Sequence, residues 1–218
     1  MDRQVETIMR YFLQALEQEG ACPEPSATGS LAIPVGISNR HAHLSRQDLD
    51  TLFGSSYELT PIKDLSQPGQ TACRETVTIV GPKGAIEHVR ILGPVRRHTQ
   101  VEILAGDRFK LGVSGALRLS DDLENTPGVT IVGPKGAVQL REGLIVAQRH
   151  IHMLPHEALR FGVKDGDVVR IQVNGPRGGV LSNVVIRAKQ ASALECHVDT
   201  EEANALGLTD QDTITILK

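Results

Sequence analysis

The N-terminal part of the chain has a helical pattern of apolar positions. Between residues 2 and 19, charged and amide side chains separate apolar residues at helical spacing, namely Val5, Ile8, Met9, Phe12, Leu13 and Leu16. The pattern predicts an amphipathic helix over residues 1–20, and the Pro and small residues of 21–30 predict a linker. Because so short a helix is marginal alone, it needs a partner surface. That surface is either the protein's own body or a sister subunit, or another protein for which the helix is an address peptide.

From Leu31 onward the pattern changes to short apolar runs separated by turn residues. These runs predict strands, the first of which leads into a histidine pair: Leu31 to Ile37, Thr76 to Val80, Ala85 to Leu92, Val168 to Val173 and Thr213 to Leu217. Ser45 with Asp48 three residues later is a helix-start signature, and Gly54 is a good helix end. A short helix is therefore expected after the first histidine pair.

Two kinds of phrase recur along the chain and indicate an internal repeat. Thr78 to Ala85 and Thr130 to Ala137 share the letters TIVGPKGA, and Val173 to Gly179 repeats the turn more loosely. These phrases lack the spacing of a phosphate loop and predict hairpin turns. Leu-Gly or Phe-Gly helix ends recur at Gly112, Gly162 and Gly207. We therefore predict a mainly β fold with short helices, built from two tandem pseudo-repeated β-barrel domains, residues 31–125 and 126–218.

The composition restricts the partners and the compartment. The 218 residues carry a net charge of −3 and few aromatic residues, which favours neither nucleic acid nor membrane as a partner. Three widely spaced cysteines indicate reduced thiols, and no segment has the apolar length of a membrane span or a signal peptide. We expect a soluble, non-secreted protein.

The candidate chemistry begins with a duplicated histidine pair. Arg40-His41-Ala42-His43 returns 109 positions later as Arg149-His150-Ile151-His152. On a strand, both histidines of a pair lie on one face, where neutral imidazoles suit a divalent ion such as zinc. A single His-x-His motif more often consists of surface residues or of hydrogen-bonded residues in the core. The second copy of the motif, with the same preceding arginine, favours a metal site.

Aligning the halves through their helix ends adds a third position to each pair. Glu102 stands nine residues before Leu111, and His197 stands nine residues before Leu206. The candidate ligands are thus His41, His43 and Glu102 in one half and His150, His152 and His197 in the other. Three protein ligands with an open position are typical of catalytic zinc. Cys196 precedes His197 and is expected to face away, as a small buried apolar residue.

Several phrases together resemble one known family. They are Ser38 to Ser45, Gly93 to Arg96 with Thr99 to Glu102, Arg149 to His152, and His197 to Ala205, and they look like the PduL-type phosphate propanoyltransferases. The resemblance spans residues 31–218. It implies two β-barrels with capping helices, two zinc ions on the six ligands, and exchange of phosphate and coenzyme A on a propanoyl or acetyl group.

The resemblance also implies roles for further residues and a location. Arg96 would meet the phosphate, and the coenzyme A site would be lined by Ser38, Lys63, Arg90, Leu92 and Asn204. Residues 1–20 are similar to peptides that carry enzymes of processes such as propanediol degradation to the shell proteins of bacterial microcompartments. The expected location is therefore the microcompartment lumen, and otherwise the cytoplasm. A homo-oligomer is compatible with the sequence.

Two other classes of function stay open at the level of the sequence. A zinc-dependent hydrolase could use the same ligands, although no H-E-x-x-H pairing supplies a general base. A non-catalytic β-barrel binding module would keep the repeats without acyl exchange. For a transacylase, phosphate is already a competent nucleophile that needs positioning more than deprotonation, so we expect neither an acyl-enzyme nor an essential cysteine.

Overall fold

The computed structural model describes residues 31–217, and the predicted N-terminal helix and linker lie outside them. The fold is mainly β with short helices, as the sequence predicts. Six strands form a closed barrel in which each strand pairs with two neighbours. In barrel order these strands are β1 (Ile33–Ser38), β14 (Glu195–Asp199), β11 (His150–Met153), β13 (Gly179–Ala188), β12 (Val168–Val173) and β15 (Thr213–Leu217).

The other nine strands form a second sheet. In sheet order, eight of them are β7 (Ala116–Arg118), β10 (Leu144–Ala147), β6 (Gln100–Ile103), β2 (His41–His43), β5 (Ala85–Gly93), β4 (Thr71–Val80), β8 (Thr130–Val132) and β9 (Ala137–Gln139). The ninth, β3 (Pro61–Asp64), pairs with β4 outside this order. The sheet has its own apolar core, which includes Ala42, Leu44 and Ile91. The barrel encloses a separate core that includes Ile33 and Ile151.

The four helices of the described part are short and begin or end at the predicted residues. They are α1 (Arg46–Phe53), α2 (Asp107–Leu111), α3 (Pro155–Phe161) and α4 (Thr200–Leu206). The Ser45 side chain accepts a hydrogen bond from the Asp48 N–H at the start of α1. Gly112, Gly162 and Gly207 end the other three helices in the left-handed conformation, with φ of 72°, 67° and 67°. None of these helices has the length and apolar character needed to cross a membrane.

The two sheets repeat one arrangement of strands. The order β10-β6-β2-β5-β4-β8 matches β1-β14-β11-β13-β12-β15, and corresponding neighbours run parallel or antiparallel in the same way. The barrel closes because β1 also pairs with β15. In the second sheet β8 pairs with β9 instead of β10. The internal repeat read from the sequence is therefore present as a repeated strand order.

The predicted boundary between residues 125 and 126 does not coincide with the division between the sheets. β1 belongs to the barrel although it precedes β2 in the chain, and β8 to β10 belong to the second sheet. The strand expected to run from Leu31 into the histidine pair ends at Ser38, and the chain then crosses between the sheets at Asn39 and Arg40. The same crossing occurs between β10 and β11. The strand before each histidine pair therefore belongs to the other sheet: β1 lies in the barrel and precedes β2, and β10 lies in the second sheet and precedes β11.

The recurring Gly-Pro-Lys-Gly phrases are hairpin turns, as predicted. They also donate hydrogen bonds to backbone carbonyls at the C-terminal ends of two helices. The Lys83 N–H donates to the Leu111 carbonyl of α2, and the Lys135 N–H donates to the Leu52 carbonyl of α1, both at 3.0 Å. The preceding glycines allow this approach, because a Cβ on Gly81 would lie 2.3 Å from the Leu111 oxygen. Two otherwise unpaired carbonyls are thereby satisfied.

Candidate active site

Strand pairing places each third candidate ligand directly beside a histidine pair. β2 and β6 are antiparallel with His41 opposite Glu102, and β11 and β14 are antiparallel with His150 opposite His197. Ala42 and Ile151 are fully buried in the two cores. The histidines therefore lie on the opposite strand face, because side chains alternate along a strand.

The structure brings together both predicted triplets. The ligand atoms of His41, His43 and Glu102 all lie within 4.8 Å of one another, and so do those of His150, His152 and His197. We call these triplets the first and the second cluster. His150 Nε2 lies 3.0 Å from His152 Nε2. Both clusters line one cavity of about 390 Å³.

The first histidine of each pair has a fixed ring orientation. His41 Nδ1 lies 2.8 Å from the Asn39 carbonyl oxygen, and His150 Nδ1 lies 2.8 Å from the Gln148 carbonyl oxygen. A carbonyl accepts only from a protonated nitrogen, so Nδ1 carries the proton in each neutral ring and Nε2 keeps its lone pair. Such a second contact is the usual way in which proteins orient a metal-binding imidazole.

Burial and neighbouring rings favour the neutral form of three histidines. Burial, together with the adjacent His41, lowers the pKa of His43 to about 3. Burial and the proximity of His197 lower the pKa of His150 to about 4, and burial and His150 lower that of His152 to about 2. Neutral imidazoles with free lone pairs are the form that binds metal.

The first cluster contains one buried carboxylate with a strong preference for its charged form. Burial opposes ionisation of Glu102, but the interactions with His41, His43 and Ser120 outweigh it and hold the pKa of the carboxyl well below its usual range. Burial lowers the pKa of His41, yet Glu102 reverses this effect and raises it. His43 Nδ1 is buried and has no hydrogen-bond partner among residues 31–217. The set consists of nitrogen and oxygen donors of the kind that zinc prefers.

Sequence reasoning missed a residue beside each third ligand. Glu195 Oε2 lies 2.5 Å from His197 Nε2, and Gln100 Nε2 donates to Glu102 Oε1 at 2.6 Å. Glu195 stands opposite His152, and Gln100 stands opposite His43. The offset of 95 positions that relates Glu102 to His197 also relates Gln100 to Glu195, so the same alignment could have found both.

Arginines surround the clusters in the same cavity. Arg96 lines the cavity, and burial lowers the pKa of its guanidinium. Its Nη1 lies 3.8 Å from Asp121 Oδ1 and has no hydrogen-bond partner in the described residues. Arg187 also lines the cavity, stands opposite His152, and makes no salt bridge within residues 31–217. Sequence reasoning missed Arg187, because only the pairing of β13 with β11 brings it to the site. Two guanidinium groups thus face a space that suits an anion.

The residues expected at the coenzyme A site are divided between cavity and surface. Ser38, Arg90 and Leu92 line the cavity, while Lys63 and Asn204 are exposed and do not line it. Arg90 uses one Nη1 to donate to the carbonyls of Cys73 and Arg74. Cys196 is fully buried in the barrel core, and burial raises the pKa of its thiol to about 12. Its side chain therefore faces away from the second cluster, as the strand alternation predicts.

The wall of the cavity next to Glu195 is held by contacts between the sheets. Gln67, buried in the loop after β3, donates to the Ala193 carbonyl at 3.0 Å and accepts from the Ala193 N–H at 3.2 Å. Ser66 also donates to Glu195. These contacts were not expected from the sequence, because residues 67 and 193 are brought together only by the fold.

Comparison with known proteins gives consistent results over most of the chain. The sequence pattern of the family described as phosphate propanoyltransferase matches residues 34–209. A protein of Rhodopseudomonas palustris named phosphate propanoyltransferase is 51% identical, with the alignment covering 100% of both chains. Its namesake in Thermotoga maritima is 57% identical over 85% of this chain and 89% of the relative, and that in Rhodobacter capsulatus is 49% identical over 97% of each.

Proposed function

This chain belongs to the phosphate propanoyltransferase family of transferases, and on that premise we propose that it transfers a short acyl group between coenzyme A and phosphate. Acyl-coenzyme A and phosphate would be converted reversibly to acyl phosphate and coenzyme A. The acyl group is propanoyl or acetyl. The observation that carries the proposal is that both three-donor clusters and Arg96 line one cavity. The buried Nη1 of Arg96 has no hydrogen-bond partner in the described residues.

We propose that each cluster holds one zinc ion, giving two per chain. The donor sets support this assignment, because neutral imidazoles and one ionised carboxylate are zinc ligands and each set leaves a position open for substrate. The unpartnered Nδ1 of His43 is also compatible with a ligand-binding environment. When bound, zinc would act as a Lewis acid toward the thioester carbonyl and the leaving thiolate.

The chain's own residues would position the nucleophile. In the forward reaction a phosphate oxygen forms a bond to the acyl carbon, and the carbon–sulfur bond breaks with its electron pair leaving on sulfur. Arg96 is placed to bind the phosphate oxygens, since its guanidinium is a permanent cation with an unused donor. Arg187 adds positive charge on the opposite sheet. Positioning of this kind is a large part of catalysis when the nucleophile is already ionised.

Coenzyme A would approach along Ser38, Arg90 and Leu92, which line the cavity. Lys63 and Asn204 are exposed and stay part of this proposal as contacts for the parts of coenzyme A outside the cavity. Lys63 lies on β3, directly before the cavity residues Leu65 and Ser66.

The decisive experiment is steady-state kinetics with acetyl-, propanoyl- and butanoyl-coenzyme A, each with and without phosphate, with zinc measured on the same sample. We expect phosphate-dependent release of coenzyme A with accumulation of acyl phosphate, and about two zinc ions per chain. Release that is independent of phosphate would identify a zinc-dependent hydrolase. Absence of any acyl exchange would identify a binding module, and full activity without metal would remove the metal assignment.

We propose the lumen of a bacterial microcompartment as the place of action, with residues 1–20 as the segment that docks on a shell protein. The support is the amphipathic pattern of this segment and the linker after it. Deletion of residues 1–25 is expected to leave catalysis intact and to abolish co-fractionation with shells. Unchanged shell association of the shortened chain would refute the docking role.

A further inference from the structure

The arginine that precedes each histidine pair makes an ion pair with the same kind of partner. Arg40 donates to both oxygens of Asp107, from Nε at 2.8 Å and from Nη2 at 3.0 Å. Arg149 Nε lies 2.7 Å from Glu202 Oε1. Asp107 and Glu202 are related by the offset of 95 positions that relates Glu102 to His197. The ion pair is therefore duplicated together with the clusters.

Each acid is itself fixed to the backbone at the start of a helix. Asp107 Oδ2 accepts from the Leu104 N–H at 3.0 Å, just before α2, and Glu202 Oε2 accepts from the Asp199 N–H at 3.1 Å, just before α4. These helices directly follow the strands that carry Glu102 and His197. In each cluster, the ion pair thus links two parts of the chain. One part follows the third candidate ligand, Glu102 or His197, and the other directly precedes the histidine pair.

The arginine side of each pair lies where the chain crosses between the sheets. Arg40 stands between β1 and β2, and Arg149 stands between β10 and β11. The residues before them, Asn39 and Gln148, present the carbonyl oxygens that orient His41 and His150. A shift of either crossing segment would therefore turn a candidate ligand away from its cluster.

We propose that Arg40 and Arg149 are positioning residues for the two metal sites, each acting on its own cluster through Asp107 or Glu202. This inference rests on the proposed zinc binding. An exposed ion pair contributes little to stability, but Asp107 is 90% buried and is bonded through both oxygens. The contribution is expected in metal affinity, where loss of a group that orients ligands typically costs about 10- to 100-fold.

The competing role for these arginines is direct substrate binding, because both line the cavity. The two roles differ in what a variant changes. A positioning role lowers the zinc affinity of one cluster in the absence of any substrate. A substrate contact leaves zinc affinity unchanged and raises the KM for acyl-coenzyme A.

The test measures zinc retained by the full chain against a graded chelator, with elemental analysis and no substrate present. Arg40→Ala and Asp107→Asn are expected to release one ion per chain at a chelator concentration about 10- to 100-fold lower than the wild type requires. Arg149→Ala and Glu202→Gln should release the other. The amide variants keep an oxygen acceptor for the helix start, so they separate loss of the ion pair from loss of folding. Lys189→Ala, which breaks the exposed pair with Asp165, is the matched control.

The identity of the released ion is established in a His43→Ala background, where only the second cluster is complete. In that background, Arg149→Ala should lower the affinity for the remaining zinc ion, and Arg40→Ala should leave this affinity unchanged. Wild-type affinity in all four ion-pair variants would overturn the inference, and so would an equal effect of every variant on both ions. A wild-type chain that binds no zinc at all would instead refute the proposed metal sites.

Discussion

Glu195 and His197 are joined by a contact of 2.5 Å between Oε2 and Nε2, two positions apart on β14. Its counterpart on β6 is the contact of 2.6 Å between Gln100 Nε2 and Glu102 Oε1. In the first cluster the carboxylate of Glu102 is itself the third donor. In the second cluster the third donor is His197, and the carboxylate of Glu195 contacts it. The two clusters therefore differ in donor type, because the first contains a carboxylate and the second has one beside it. Either arrangement places a negative charge near a proposed cation.

Glu195→Gln is expected to weaken metal binding at the second cluster. The amide keeps the size of the side chain but removes the only carboxylate in contact with a donor of that cluster within the described residues. A loss of about 10- to 100-fold in zinc affinity for one of two ions is expected, measured by chelator competition. Glu142→Gln, at an exposed position, is the control. Equal retention of both ions by Glu195→Gln and wild type would contradict this role.

Arg96→Ala is expected to impair the use of phosphate. Its guanidinium has an unused donor in the cavity, and loss of one preorganised donor to an oxyanion typically costs about 100- to 1000-fold in rate. Kinetics at varied phosphate concentration measure the effect, with Arg96→Lys as a variant that keeps the charge. The neighbouring Arg97 is exposed and does not line the cavity, so Arg97→Ala should behave as wild type. An unchanged phosphate dependence of Arg96→Ala would rule out the role.

Cys196→Ala is expected to retain most of the activity and to lose some stability. The thiol is fully buried in the barrel core and burial raises its pKa to about 12, so it is a packing group with almost no thiolate. Removal of the sulfur leaves a small cavity that should lower the free energy of unfolding by about 1 kcal/mol. Activity and thermal unfolding are measured beside Cys73→Ala, which removes a second fully buried thiol of the described residues. Trapping of an acyl group on Cys196 would refute the prediction.

The metal-free protein is expected to lose stability as the pH falls below about 6.5. His43, His150 and His152 have pKa values of about 3, 4 and 2 in the folded chain, mainly because they are buried. Unfolded histidines take up protons near pH 6.5. Below this pH the unfolded state binds more protons than the folded state and is stabilised by them, so the free energy of unfolding falls. Each histidine contributes a slope of about 1.4 kcal/mol per pH unit until the pH reaches its folded pKa.

The measurement for this prediction is chemical unfolding of chelator-treated protein between pH 7 and pH 4. His150→Gln should reduce the slope, because it removes one titrating group. His156→Gln is the control variant, because His156 is exposed and does not line the cavity that both clusters share. A stability that is independent of pH over this range would contradict the prediction, because it would show that the folded and the unfolded chain take up the same number of protons.

The fold class and the local features could be predicted from the sequence because they depend on neighbouring residues. Side-chain alternation places His41 and His43 on one face, Ser45 and Gly54 mark the ends of α1, and the Gly-Pro-Lys-Gly phrases form hairpins. The internal repeat also allowed Glu102 and His197 to be aligned, and the structure places each beside its histidine pair. Short-range rules and the duplication were sufficient for these features.

Only the tertiary structure determined which strands pair across the molecule. The pairing of β1 with β14 and of β10 with β6 places each crossing segment next to the other sheet, and pairing of β13 with β11 brings Arg187 to His152. Backbone hydrogen bonds between strands are alike for almost all residue types, so sequence patterns do not specify a distant partner. The candidate ligands could therefore be predicted by residue type and spacing, while the common cavity, Arg187 and the two arginine ion pairs depended on long-range packing.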